Sequence, residues 1–354
     1  MLPGGRVDPR AMPGRVDTRA MPRRVDARAM PGRGSRSTSV VALGGGHGLA
    51  ATLAALRRVT DDITAIVTVA DDGGSSGRLR AEFGTPAPGD LRMALAALCG
   101  DDTWGRTWER VIQHRFGGSG ELAGHSLGNL LITALWEQTG DIVTGLDWVG
   151  ALLEAQGRVL PCTTVPLTIE AEVLGHDSTK PDEVSIVRGQ AAVAATAGAV
   201  MSLQVDPPNP SACPESIVAL TGADAIVLGP GSWYTSVITH LVIPDLAQAI
   251  TDSPARRIVV LNLNPQVGET TGFQPHTYLD VLHDYVPSVD AVIADRRHVE
   301  DAGSLERSCA ALGAELVLAD VARTGRHALG QHDPHRLAVA FDTVLADPRT
   351  NEAI

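Results

Sequence analysis

The sequence predicts an α/β fold built on a doubly wound, mostly parallel sheet with a small β-rich insertion. Three observations carry that expectation. Short apolar runs at 40–43, 63–70, 223–228, 257–263, 289–294 and 315–318 alternate with helix-periodic segments, the pattern of a parallel sheet covered on both faces. Four strand ends or helix starts, at 44–48, 71–78, 229–236 and 262–270, hold Gly together with Ser, Thr, Asn, Asp or His. Such turns let a backbone approach a ligand closely and point N–H groups at it. Between 158 and 210, by contrast, apolar and polar residues alternate between turn signals, as in antiparallel strands.

Size and composition fit one large domain over 39–354. The chain is 44% apolar but only 3% aromatic, so its core must be aliphatic. Positive charge is carried by 28 Arg and one Lys. The first 39 residues hold nine Arg and three Asp, a net +6; the chain totals −12, which leaves −18 on the remainder. An acidic body excludes non-specific nucleic-acid binding, which needs clustered basic side chains on phosphates. Cys99, Cys162, Cys213 and Cys309 stand apart with no Cys-x-x-Cys pair, which fits a reducing cytoplasm and supplies no metal framework. No apolar run is long enough for a membrane span, and Arg and Pro interrupt every candidate signal-peptide core, so a cytoplasmic location is expected.

Residues 5–31 give a nine-residue repeat three times, each with Pro and one small apolar cluster. That cannot build a core, so 1–38 is expected to be a disordered Arg- and Pro-rich tail, dispensable or untranslated before Met30, with a basic arm for an acidic partner as the alternative. Order begins at Ser39. The strand at 40–43 meets Gly44, Gly45, Gly46, His47 and Gly48, and a helix follows over 49–58. Residues 46–51 match Gly-x-Gly-x-x-Ala, the dinucleotide fingerprint, and Asp71 stands where an acidic ribose-binding residue belongs; this makes the sheet Rossmann-like.

The strand at 63–70 runs into Asp71, Asp72, Gly73, Gly74, Ser75, Ser76, Gly77 and Arg78, read as a loop. No core needs that composition. Carboxylates suit sugar hydroxyls or a cation, hydroxyls and N–H groups suit phosphate, and Arg78 can neutralise phosphate or pair with Asp71. Asp90 either caps a helix over 91–98 or meets the ligand. A helix over 103–114 comes next. The helix over 130–136 starts behind His125, Ser126 and Asn129, which suits an anion. Gly124 to Gly128 also satisfies Gly-x-Ser-x-Gly, but a nucleophile elbow needs a strand before the Ser and the stretch at 116–123 is Gly-rich and polar. Strands at 159–164, 166–173 and 183–189 make up the insertion. A helix begins at 216–220, and the strand at 223–228 ends in Gly229, Pro230, Gly231 and Ser232. The strand at 257–263 contains Asn262, and helices at 276–283, 304–312 and 335–345 complete the alternation.

Together, Gly44 to Leu49, Asp62 to Arg78, Pro88-Gly89-Asp90, Gln113 to Phe116, Gly124 to Asn129, Gly229 to Ser232 and Gly268-Glu269-Thr270 strongly resemble the YvcK group of the CofD-like family, over about residues 39–325. Members of that group are known as gluconeogenesis factors; they bind uridine diphosphate N-acetylglucosamine and influence cell-wall synthesis and cell shape. Their enzymatic relatives transfer a phospholactyl group from a guanosine dinucleotide-type donor to a deazaflavin precursor. The resemblance implies that the glycine turn at 44–48, the segment 71–78 and Gly229 to Ser232 line the nucleotide-sugar site, with the ring of Phe273 near the ligand. Position 47 is His where other members often have Thr, which removes a hydroxyl there. Three functions stay open: a binding and regulatory protein acting through an unidentified protein partner or as a homo-oligomer, a transferase in which Asp71 and Asp72 hold Mg, and an NAD-binding protein.

Overall fold

The computed structural model describes residues 37–325 and 330–346. The tail expected at 1–38 lies almost wholly outside them. Strands β1 (Ser39–Gly44), β2 (Asp62–Val67), β3 (Arg158–Pro161), β7 (Ala225–Leu228), β8 (Arg256–Val260), β9 (Ala291–Asp295) and β10 (Glu315–Ala319) form one sheet. Every pairing in it is parallel, in the order β10-β9-β8-β7-β1-β2-β3. The doubly wound α/β expectation therefore holds. Strands β4 (Thr168–Leu174), β5 (Val184–Arg188) and β6 (Ala199–Asp206) form a separate antiparallel sheet in the order β5-β4-β6.

The chain winds outward from β1 through β2 to β3, then returns to the centre at β7 and winds the other way to β10. The reversal lies between β1 and β7, whose residues pair from Val40↔Ala225 to Leu43↔Leu228. In open α/β sheets ligands bind beyond the carboxyl ends at such a reversal. Central strands are aliphatic because both faces are covered: Val40, Val41, Ala42 and Leu43 in β1 and all of β7 are buried. Helix Gly46–Leu56 buries Leu49, Thr52, Leu53 and Leu56, a stripe at helical spacing on the sheet. Each fully buried Leu contributes roughly 1.5–3 kcal/mol.

Four expectations are corrected. The segment 71–78 is a loop only as far as Gly73, which is extended; helix Gly74–Phe83 starts on Gly74 at φ +46° and carries Ser75, Ser76 and Arg78 in its first turns. The expected insertion strand at 159–164 is β3, an edge of the main sheet, because its buried Val159 and Leu160 pack on the large core; the antiparallel insertion thus runs over 168–206 rather than 158–210. Asp90 is not a cap: the cap of helix Gly89–Ala97 is Pro88, and Asp90 lies in the first turn with its carboxyl turned to the carboxyl ends of the strands. The strand expected at 63–70 stops at Val67. Strand β6 and helix Ile142–Leu153, the latter capped by Asp141 accepting from Thr144 N at 2.6 Å, were not expected from the sequence.

Candidate functional site

At the reversal the two glycine turns interlock. Gly45 is extended, Gly46 takes φ +57°, and helix Gly46–Leu56 starts with no side chain capping it. A Cβ on Gly48 would collide with the Pro230 carbonyl, and one on Gly45 with the Asp90 carboxylate and the Thr68 methyl. Only glycine permits this approach. Gly231, at φ +146°, lies over Gly45 and Gly48. Its N–H donates to Asn262 Oδ1 at 2.8 Å while Asn262 Nδ2 donates back to its carbonyl at 2.7 Å. Thr52 Oγ1 donates to the Gly229 carbonyl at 3.0 Å. Gly44, Gly45, Gly46, His47, Gly48, Gly229, Gly231, Ser232 and Asn262 are thus brought to one crevice. Asn262 has both amide groups engaged and positions Gly231; His47 is exposed.

Carboxylates line the β2 side. Asp71 Oδ1 accepts from Gly73 N at 2.9 Å. Asp72 points elsewhere: its Oδ1 accepts from Ala191 N at 2.9 Å, in the insertion. Asp90 comes in from helix Gly89–Ala97. Burial and then the neighbouring Asp71 push its carboxyl up to about 7, against the Gly46 N–H and the Arg92 guanidinium, which favour the charged form. Arg92 is itself buried, which lowers it to about 10. The acidic pair beside the glycine turn is therefore Asp71 with Asp90, rather than Asp71 with Asp72. The proximity of Asp90 to Asp71 is a tertiary fact; its sequence trace was the Pro88-Gly89-Asp90 motif.

Behind this lies a buried polar chain. Ser75 Oγ accepts from Ser126 N at 3.3 Å and from Asn129 Nδ2 at 3.2 Å, and it lies 3.0 Å from His125 Nδ1. With both lone pairs used, the Ser75 proton goes to His125 Nδ1, which makes His125 the neutral Nε2–H tautomer. Burial, then Arg78, lowers the His125 pKa in agreement. Asn129 Nδ2 also reaches Ser76 Oγ at 3.5 Å, and Asn129 Oδ1 accepts from Arg92 Nε at 3.0 Å; Arg92 continues to Gln113. Arg78 does not pair with Asp71. Its guanidinium donates to the Ala123 carbonyl at 2.9 Å and the Glu121 carbonyl at 3.3 Å, holding the loop that presents Gly124 and His125. Ser126 is fully buried and its Oγ donates to the Ile112 carbonyl at 2.9 Å, so it is no nucleophile.

On the β8 side, the Gly268-Glu269-Thr270 motif supplies a further acid, Glu269. It is buried, and its Oε2 accepts from Thr235 N at 3.2 Å at the start of the π-helical turn Trp233–Ile238. Burial raises its carboxyl to about 7. Phe273 does not stand free: its ring packs edge-on against Tyr278 at 5.2 Å and Tyr234 at 6.2 Å between centroids. Among the described residues no group of three or more His, Cys, Asp or Glu is placed to hold a metal on its own. No helix among them is long and apolar enough to cross a membrane.

The chain is similar in sequence and in fold to known proteins. A gluconeogenesis-factor relative in Mycobacterium tuberculosis (strain ATCC 25618 / H37Rv) is 49% identical over 312 residues, 87% of this chain and 90% of its own. The gluconeogenesis factor of Halalkalibacterium halodurans is 36% identical over 268 residues, 75% of this chain and 80% of that one. A crystal structure of a UPF0052 family protein from Bacillus halodurans superposes with a TM-score of 0.76 at 32% identity, covering 87% of this chain and 99% of that chain. Residues 40–331, the whole sheet and its crevice, match the family described as 2-phospho-L-lactate transferase CofD. The chain therefore belongs to the CofD family, in the group whose members are named gluconeogenesis factors.

Proposed function

We propose that the chain binds uridine diphosphate N-acetylglucosamine in the crevice between β1 and β7 and acts in the cytoplasm as a regulatory protein, linking carbon metabolism to cell-wall synthesis and cell shape through a protein partner. The observation that carries this is the interlocked pair of glycine turns at the sheet's reversal. Beyond Gly46, whose N–H faces Asp90, the start of helix Gly46–Leu56 has no N-cap side chain and offers N–H groups to a diphosphate, and Asp71 stands one strand away for ribose or sugar hydroxyls. Thermal-shift titration of the full chain with this nucleotide sugar, guanosine nucleotides and NAD, each with and without magnesium, tests it. The sugar nucleotide is expected to raise Tm by several degrees and Asp71→Asn to abolish the rise. A rise seen with NAD alone would sink the proposal.

A second reading is metal-assisted transfer, favoured by the Asp71–Asp90 pair beside the glycine turn and by the name of the matched family. The residues fit a divalent cation: two carboxylates close together, with Asp72 engaged elsewhere, leave further positions to phosphate oxygens of a donor. The cation would supply charge neutralisation on the diphosphate. Stabilisation by guanosine compounds only, and only with magnesium, would select this reading over the first.

A further inference from the structure

The insertion does not merely decorate the sheet. Its short helix, Gln190–Ala194, is fastened at one end to the loop after β2 and at the other to the loop after β8. At the first end Ala191 N donates to Asp72 Oδ1 at 2.9 Å, and Gly189, at φ +101°, lies so close that a Cβ there would strike Asp72 Oδ2. At the second end a Cβ on Gly268 would overlap the Ala194 carbonyl. Between them Val193 is fully buried and the helix touches the turn Trp233–Ile238 that follows β7. Tyr234 OH reaches the Val200 carbonyl of β6 at 3.3 Å, a further tie between that turn and the insertion.

In the sheet, β2 and β8 are separated by β1 and β7. Three interstrand steps span about 14 Å. The segment from Gly189 to Ala195 rises about 9 Å as a helix, and side chains and loops make up the rest. The helix thus bridges the loops that follow β2 and β8, on either side of β1 and β7.

We propose that helix Gln190–Ala194 is the roof of the crevice and that Asp72 is its latch: Asp72 controls access to the bound molecule and does not contact it. This rests on the crevice being the ligand site, but the latch itself can be read without any ligand. Asp72 is exposed, so its replacement leaves the core intact. Within the insertion the Gly189 N–H donates to the Ile169 carbonyl of β4 at 2.8 Å, and the tie from that end to the loop after β2 is the carboxylate of Asp72 accepting from the helix's first turn. The other end is held by close backbone packing, so loss of Asp72 frees one side and leaves a hinge on the Gly268 side.

All four native cysteines are buried, so one introduced thiol reports without background. Ser232→Cys puts that thiol on the turn next to Gly231, which lies over Gly45 and Gly48, and its reaction with a nitrobenzoate disulfide is followed by absorbance in the full chain. Adding Asp72→Ala is expected to speed labelling by about five- to ten-fold, the range for losing one partly solvated charge-assisted hydrogen bond. Asp72→Asn, which keeps an amide oxygen for Ala191, should stay within about two-fold. Equal labelling rates in the presence and absence of Asp72→Ala would overturn the latch. With uridine diphosphate N-acetylglucosamine as probe, the ligand should leave the Asp72→Ala chain faster by the same factor. A dissociation rate unchanged despite faster labelling would overturn the roof. A wild-type chain that binds no nucleotide sugar would refute the proposed function instead, and the labelling comparison would still decide the latch.

Discussion

Two buried carboxyls and two buried imidazoles give this protein an opposed response to pH. Burial raises Glu269 to about 7, above the value it has in an unfolded chain. It favours the folded state fully below the unfolded pKa of about 4.5, and that contribution is lost as pH rises through 7. The loss amounts to about 3 kcal/mol. Glu269→Gln removes the titration. The Tm difference, variant minus wild type, should therefore be lowest near pH 5 and rise steadily to pH 8, as melting curves across that range will show; a flat difference would contradict it. His240 and His332 act in the other direction. Burial lowers each to about 4, so the stability tied to their neutral forms is present above the unfolded value near 6.5 and is lost as pH falls toward 4. At His240 burial outweighs two contacts that favour the charged ring, Nδ1 at 2.8 Å from the Ser236 carbonyl and Nε2 at 3.1 Å from that of Ile66. None of these shifts was legible in the sequence, because burial is a property of the fold. Asp71 was readable from its place after an apolar strand, whereas Asp90 needed the third dimension to become its neighbour.

At the level of elements, strands with continuous apolar runs or regular alternation are legible in the sequence, and β6, whose alternation is broken, is not. β1 and β7 are uninterrupted, so their burial could be read directly. In β6 the buried residues are Val200, Leu203 and Val205, a step of three followed by a step of two. A bulge explains it: Glu172 pairs with Ser202 but Val173 with Val200, so Met201 is the extra residue, thrown outward and 61% exposed. Helix Gly74–Phe83 was hidden for a different reason, since Asp, Gly and Ser favour turns and here they form a helix start. Interlocking of the glycine turns predicts a sharp sensitivity. Gly48→Ala must force the Pro230 carbonyl away and should cost about 1–3 kcal/mol, read as a fall in Tm, with loss of the ligand-induced shift. Gly74→Ala, with nothing near its Cβ, meets only the backbone strain of its positive φ; it should fold and keep the shift.

Over the whole molecule, alternation of strand and helix made the fold class legible, while the order of strands, which creates the crevice, appeared only in the structure. The acidic body sets the electrostatics of binding. A dianionic ligand approaching a chain whose residues 40–354 carry −18 is repelled, and the crevice answers with N–H groups and neutral donors, since Arg78 and Arg92 are engaged. Salt should therefore help rather than hinder. Raising KCl from about 20 to about 150 mM shortens the screening length to about 8 Å and should tighten the nucleotide sugar by about two-fold in calorimetry; weakening would point to a cationic contact. One further property follows from where the single lysine lies. Lys180, in the connection between β4 and β5, is exposed and paired to Glu183 at 2.9 Å. Within these 354 residues it is the one lysine, so an amine-directed fluorophore there would place an optical probe on the insertion, suited to testing whether that module moves when a nucleotide sugar is added.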